Sequence, residues 1–387
     1  MLIFMKKLKR NAGTFLLIGL FLLTTNAFSQ DPNFYIYLCF GQSNMEGQGT
    51  IETVDKATDS RFKVMEAVDC SNLVRTKGKW YTAVPPLCRC SSGLSPADYF
   101  GRTMVANLPD SIRIGIINVS VAGCKIELFD KNNYQTYVSA ITEDWLKKII
   151  AEYSGNPYAR LVEMAKLAQK DGVIKGLLLH QGESNTGDSQ WPVKVKGIYN
   201  NLMTDLALDP TRVPLLAGEV VHADQGGICA SMNTIIGRLP QTLPNSYVIS
   251  SSKCTDGADN LHFNSAGYRE LGKRYANKML SLMGIVPTDI PEMVSAGSDG
   301  FALGQNYPNP FHGKTSIPFE IPEKCYVSLK VYNSIGSEIA ELAGKEYSRG
   351  RQSVVFDSGN LSKGIYFYTI KAGQYSAGRK FVVSIAQ

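Results

Sequence analysis

The chain has 387 residues, of which 44% are apolar and 19% charged, enough for more than one packed domain and too apolar for a disordered chain. Its formal charge of +6 falls when Lys6, Lys7, Lys9 and Arg10 are set aside as an N-terminal leader, leaving 36 basic against 34 acidic residues with no basic run. That balance excludes a nucleic-acid surface built on charge.

Residues 1–29 have the layout of a secretory signal. Lys6 to Arg10 form the charged part, Phe15 to Leu23 the apolar part, and Ala27-Phe28-Ser29 the small-residue cleavage site, so the mature chain is expected to start at Gln30. The apolar stretch falls short of the roughly 20 residues a membrane helix needs. No cysteine stands at the cleavage site to carry a lipid anchor.

The next apolar run, Phe34 to Phe40, is β-rich and stops at Gly41, where Gln42-Ser43-Asn44-Met45 follows. A serine just after a strand sits at the carboxyl edge of a sheet, where open α/β sheets bind ligands. A polar stretch to about Pro96 is expected as an insertion near the site, with a short strand at Phe62 to Met65 and an aromatic pair, Trp80-Tyr81. Ser95 and Pro96 open a helix, serine as its cap and proline in its first turn. The strand Ile112 to Val119 then empties into Ser120-Val121-Ala122-Gly123-Cys124.

The alternation continues with a helix at Pro157 to Lys170 and a strand at Val173 to Leu179, which ends in His180-Gln181-Gly182-Glu183. A helix at Trp191 to Leu208, a strand at Val213 to Val220, a helix at Ser231 to Leu239 and a strand at Tyr247 to Ser250 follow. Asp256-Gly257-Ala258-Asp259-Asn260-Leu261-His262 precedes a last helix, Ser265 to Met283. Strands alternating with helices predict a parallel sheet in a three-layer α/β/α domain with five main strands, covering 30–284. Residues 285–303 hold Pro287, Pro291, Gly297 and Gly300 without periodicity and are expected to be a linker. From 304 to 387 the texture is that of a small all-β sandwich, with strands near 316–321, 326–332, 353–356, 364–370 and 379–384.

Eight cysteines in an exported chain permit disulfides. Cys70, Cys88, Cys90, Cys229 and Cys254 fall near loops and are the better candidates, whereas Cys39 lies in a buried strand. Cys88-Arg89-Cys90 lacks the second pair and the histidines a zinc site needs.

A serine hydroxyl is a weak nucleophile until a base takes its proton. His262 can supply that base, since imidazole titrates near neutrality. Asp259, three residues earlier, can hold its tautomer, with Asp256 as a competing acid. His180 ends a buried strand and is expected to be a core histidine.

Gly41-Gln42-Ser43-Asn44-Met45, His180-Gln181-Gly182-Glu183-Ser184 and Asp259-x-x-His262, in this order over residues 33 to 284, resemble the SGNH/GDSL hydrolases. The nearest branch is the sialate O-acetylesterase-like and family 6 carbohydrate esterases. The resemblance implies flavodoxin-like strand order, a Ser43–His262–Asp259 triad and no metal or organic cofactor. It also implies three oxyanion donors, the N–H groups of Ser43 and Gly123 and the side-chain amide of Gln181, which stands where the wider superfamily has asparagine. Ala122-Gly123 replaces the Gly-Gly common in the branch. In some relatives the residue matching Glu183 is the triad acid, so that assignment stays open between Asp259 and Glu183.

The expected activity is removal of O-acetyl groups from carbohydrate, as in acetylxylan esterases. The alternatives are a sialate O-acetylesterase or an inactive glycan-binding protein. Gly304-Gln305-Asn306-Tyr307-Pro308-Asn309-Pro310-Phe311, Gly364-Ile365-Tyr366-Phe367-Tyr368 and Gly378-Arg379-Lys380-Phe381 resemble the C-terminal sorting domain of the type IX secretion system. That resemblance implies the secretion machinery as a partner and a secreted or cell-surface location, reached through the periplasm.

Overall fold

The computed structural model describes residues 30–283, 285, 300–333, 337–359 and 361–384. The expected leader and most of the expected linker lie outside the described residues. Seven strands form the first sheet: β1 (Asp31–Gly41), β2 (Phe62–Met65), β3 (Trp80–Thr82), β4 (Arg113–Ser120), β5 (Gly172–His180), β6 (Leu215–Gly218) and β7 (Ser246–Ile249). Their spatial order is β3-β2-β4-β1-β5-β6-β7, with β3 alone antiparallel to its neighbour.

Alternation along the strands sets the layers. In β1, Ile36, Leu38 and Phe40 join one core while Tyr37 and Cys39 join the other, as a two-residue period requires. In β4, Ile117 and Val119 face the first core, and Ile114 and Ile116 the second. Both faces are apolar, so both need helices over them. The first is covered by Pro157–Ala168, through Leu161 and Met164, and by Trp191–Asp205, through Val195 and Leu202. The second is covered by Pro96–Asn107, through Phe100 and Met104, and by Ser265–Leu282, through Leu271 and Tyr275.

The five main strands lie in the order β4-β1-β5-β6-β7, the flavodoxin-like arrangement expected. The insertion differs from its reading in one respect. It supplies β2 and β3, which extend the sheet beyond β4. Two short helices, Tyr134–Ser139 and Asp144–Glu152, escape a periodicity reading. The first buries no residue fully, and the second, although Leu146, Ile149 and Ile150 share one face against the core, is only 9 residues long, shorter than the stretch over which a helical period becomes legible. Ser95 does occupy the cap position before Pro96, yet its hydroxyl makes no capping bond.

Of the expected bridge cysteines, Cys70 and Cys90 form a disulfide that closes the insertion on itself. Cys88 is instead a buried thiol facing Ser120 O and Tyr153 Oη, and Cys229 and Cys254 are also free. Burial pushes the Cys88 thiol up to about 12, so it stays protonated.

The C-terminal strands are β8 (Ala302–Leu303), β9 (Lys314–Ile321), β10 (Cys325–Tyr332), β11 (Glu338–Tyr347), β12 (Gly350–Asp357), β13 (Gly364–Ala372) and β14 (Tyr375–Val383). They make two antiparallel sheets, β11-β10-β13-β14 and β12-β9-β8. Ile317, Phe319, Val327, Leu329, Tyr368 and Phe381 fill the core between them. β11 has no sequence signature because it is an edge strand that buries only Ala343.

Candidate active site

The carboxyl ends of β1, β4 and β5 meet at one place. β1 is flanked by β4 on one side and β5 on the other, so the strand order reverses there, which opens a crevice for ligands. Gly41, where β1 ends, has no room for a side chain. Its φ is +149°, and a Cβ would lie 2.0 Å from His180 O. The chain turns at Gln42, and Ser43 opens a single helical turn, Ser43–Glu46.

His262 arrives from the loop after β7. Its Nε2 lies 2.8 Å from Ser43 Oγ, and its Nδ1 lies 2.6 Å from Asp259 Oδ2. Nδ1 therefore donates to the carboxylate, and Nε2 presents a lone pair to the serine O–H. Asp259 is itself fixed, since its Oδ1 accepts from the Leu261 and His262 N–H groups at 3.0 Å each. Burial would raise the Asp259 carboxyl, but the N–H groups of His262 and Leu261 outweigh it and hold it at about 2. Ser43 is only 5% exposed, while the Asp259 side chain is 52% exposed. A hydroxyl so placed can pass its proton to the imidazole while the carboxylate offsets the resulting charge.

The loop after β4 is tied to this turn, with Val121 N donating to Gly41 O and Ala122 N to Glu46 Oε2, and it carries Gly123 at φ +72°. Neither the Ser43 nor the Gly123 N–H donates to a protein acceptor among the described residues. Such free donors beside a serine suit a developing oxyanion. Residues 33–281 match the family model described as carbohydrate esterase, sialic acid-specific acetylesterase.

The chain belongs to this carbohydrate esterase family.

The esterase is thus a carboxylic ester hydrolase. Its residues 305–384 match a secretion system C-terminal sorting domain, which marks it for export to the cell surface or beyond. Among solved structures, a protein from Arabidopsis thaliana is 21% identical, with TM-score 0.50, covering 65% of this chain and 99% of its own, and shares the fold. A lipase from a goat rumen metagenome is 11% identical with TM-score 0.33 and covers 62% of this chain and 95% of its own.

Two expected site residues are tied up inside the esterase. Gln181 is 1% exposed, and its Nε2 faces Asn185 Oδ1 at 2.7 Å, Gln42 Oε1 at 3.1 Å and Cys124 O at 3.3 Å. Its Oε1 accepts from Trp191 Nε1 at 2.5 Å. Two amide hydrogens facing three acceptors leave none for a substrate, which departs from the expected oxyanion role. A buried amide must satisfy its donors within the protein. Glu183 does not reach His262. Its Oε1 accepts from Asn44 Nδ2 at 2.5 Å and lies 3.8 Å from His180 Nδ1. Asp256, the competing acid, has a buried Oδ2 that meets no hydrogen-bond partner among the described residues. His180 is fully buried and donates from Nε2 to Glu219 O at 2.9 Å, and burial lowers its basicity.

Asn44 has a role that the motif alone does not reveal. Its Nδ2 donates to Leu261 O at 3.0 Å, and its Oδ1 accepts from Phe263 N at 3.3 Å and Tyr268 Oη at 2.6 Å. It thereby clamps the residues on both sides of His262, next to Ser43 itself.

Glu46 and Arg89 also escaped the sequence reading. Glu46 Oε2 accepts from Ala122 N at 2.6 Å and its Oε1 from Arg89 Nη2 at 2.9 Å, while Arg89 Nη1 reaches Glu152 Oε1 at 2.5 Å. Burial raises the Glu46 carboxyl, against the pull of Arg89. Removing one partner of a buried pair leaves the other charge stranded, so Glu46→Ala should lower stability by about 3 kcal/mol. Glu46→Gln, which keeps an acceptor for Ala122, should lose less. Denaturant unfolding of both variants checks this, and an unchanged midpoint for Glu46→Ala would show that the cluster holds nothing in place.

Proposed function

We propose that this esterase removes O-acetyl groups from neutral carbohydrate, in the manner of an acetylxylan esterase, through an acetyl-serine intermediate. The supporting observation is the line Ser43 Oγ, His262 Nε2 and Nδ1, and Asp259 Oδ2, with contacts of 2.8 and 2.6 Å. Ser43 Oγ attacks the acetyl carbonyl carbon as its proton passes to His262 Nε2. The carbonyl oxygen becomes an oxyanion held by the Ser43 and Gly123 N–H groups. His262 then gives its proton to the departing sugar oxygen. Water, deprotonated by His262 Nε2, attacks the acetyl carbon, the bond to Ser43 Oγ breaks, His262 returns the proton to Oγ, and acetate leaves. Asp259 orients His262 throughout, and Glu183 keeps Asn44 in its clamp.

The family's description favours a second reading, an ester on sialic acid. The inactive glycan-binding alternative predicts no turnover at all. Acetate release from acetylated xylan, 9-O-acetyl sialic acid and ethyl acetate decides among them. The proposal expects acetylated xylan to be turned over fastest. Preference for the sialate ester moves the substrate, and no acetate from any of the three retires the catalytic reading.

A further inference from the structure

Trp145 lies outside the packed cores of the esterase. It stands on the Asp144–Glu152 helix, which buries Leu146 and Ile150 instead. Its side chain is left 52% exposed. Its indole N–H meets no acceptor among the described residues.

The ring is nevertheless held at one point. A Cβ built on Gly123 would fall 2.3 Å from Trp145 Cη2 and 3.2 and 3.3 Å from Cζ3 and Cζ2. The benzo edge thus lies against Gly123 Cα, and only glycine permits the approach. The positive φ at Gly123 demands glycine independently. An aromatic ring that is half open to solvent, has an unused donor and rests against the glycine beside Ser43 is placed to meet whatever carries the ester. Tryptophan offers a large apolar surface with one polar handle, a pairing typical of binding sites.

We propose that Trp145 is the platform for the sugar that carries the acetyl group. With the acetyl carbonyl between Ser43 Oγ and the Gly123 N–H, the apolar C–H face of an uncharged pyranose lies on the indole, and the indole N–H donates to a sugar hydroxyl. The inference rests on the carbohydrate O-acetylesterase reading above. It makes Trp145 a determinant of which ester is chosen, outside the bond-breaking steps.

The test uses the full chain, its Trp145→Ala and Trp145→Phe variants, and two probes, an acetylated xylooligosaccharide and ethyl acetate. Ethyl acetate has no ring to stack. The ratio of kcat/KM for the oligosaccharide to that for ethyl acetate should fall about tenfold in Trp145→Ala, the size expected of one lost stacking surface with its hydrogen bond. The loss should appear mainly in KM for the oligosaccharide, and Trp145→Phe should restore most of it. An equal fall on both esters would make Trp145 a prop for the Gly123 loop and overturn the platform. An unchanged ratio would overturn it too. A wild-type enzyme that cleaves ethyl acetate but no acetylated sugar would instead overturn the substrate reading, and the platform with it.

Discussion

Ser43→Ala should lower turnover of an acetyl ester by on the order of 10⁴-fold or more while the protein stays folded. The hydroxyl makes one bond, to His262 Nε2, and its residue is 5% exposed, so its removal leaves only a small gap. The chemistry loses far more. Without Oγ no acetyl-serine forms, and water must attack directly with the His262 base and the backbone donors alone. The residual rate should come from those groups. Acetate release measured alongside circular dichroism checks both halves of the expectation. A folded Ser43→Ala enzyme with near-native turnover would remove Ser43 from the mechanism.

Asp259→Asn should be nearly as damaging, on the order of 10⁴-fold in kcat. The reason is the tautomer. Asp259 Oδ2 accepts the Nδ1 hydrogen of His262, so Nε2 is free to take a proton from serine. An asparagine that turns its amide N–H₂ toward Nδ1 reverses this, and the hydrogen moves to Nε2, where it blocks the transfer. The cost falls on turnover more than on KM, since imidazole orientation matters most in the transition state. Glu183→Gln is the comparison. Its carbonyl can still accept from Asn44, so the clamp on Leu261 and Phe263 survives and the loss should stay within about tenfold, as for a removed supporting contact. The opposite ranking, with both variants folded, would transfer the acid role to Glu183.

The same carboxylate sets an acid limit. The Asp259 value of about 2 lies below the roughly 3.9 of an unfolded aspartate. Its ionised form therefore favours the folded site fully above about pH 4, and that contribution is lost as pH falls toward 2.

Local chemistry made much of this protein legible. Alternation of Ile36, Leu38 and Phe40 with Tyr37 and Cys39 has one solution, a strand covered on both faces, and the helices between the strands supply the cover. The serine, the Asp-x-x-His pair and the sorting tail are short patterns, each complete within a few residues. What distant segments do to one another was not written locally. Whether His262 reaches Ser43, and whether Glu183 from the loop after β5 could face it, depends on how the loop after β7 lands on the turn after β1, a landing held by Asn44 across 217 residues of sequence. Gln181 matches a donor by position, yet Gln42, Cys124 and Asn185 are brought around it by folding and take its hydrogens first. Cys70 pairs with Cys90 and leaves Cys88 as a thiol, although all three looked alike in loops. Trp145 shows no pattern that points to a site, because its neighbour Gly123 lies well before it in the same connection between β4 and β5 and meets it only on folding. Side-chain contacts across long loops depend on the packed register of the whole sheet, and no window of sequence contains that register.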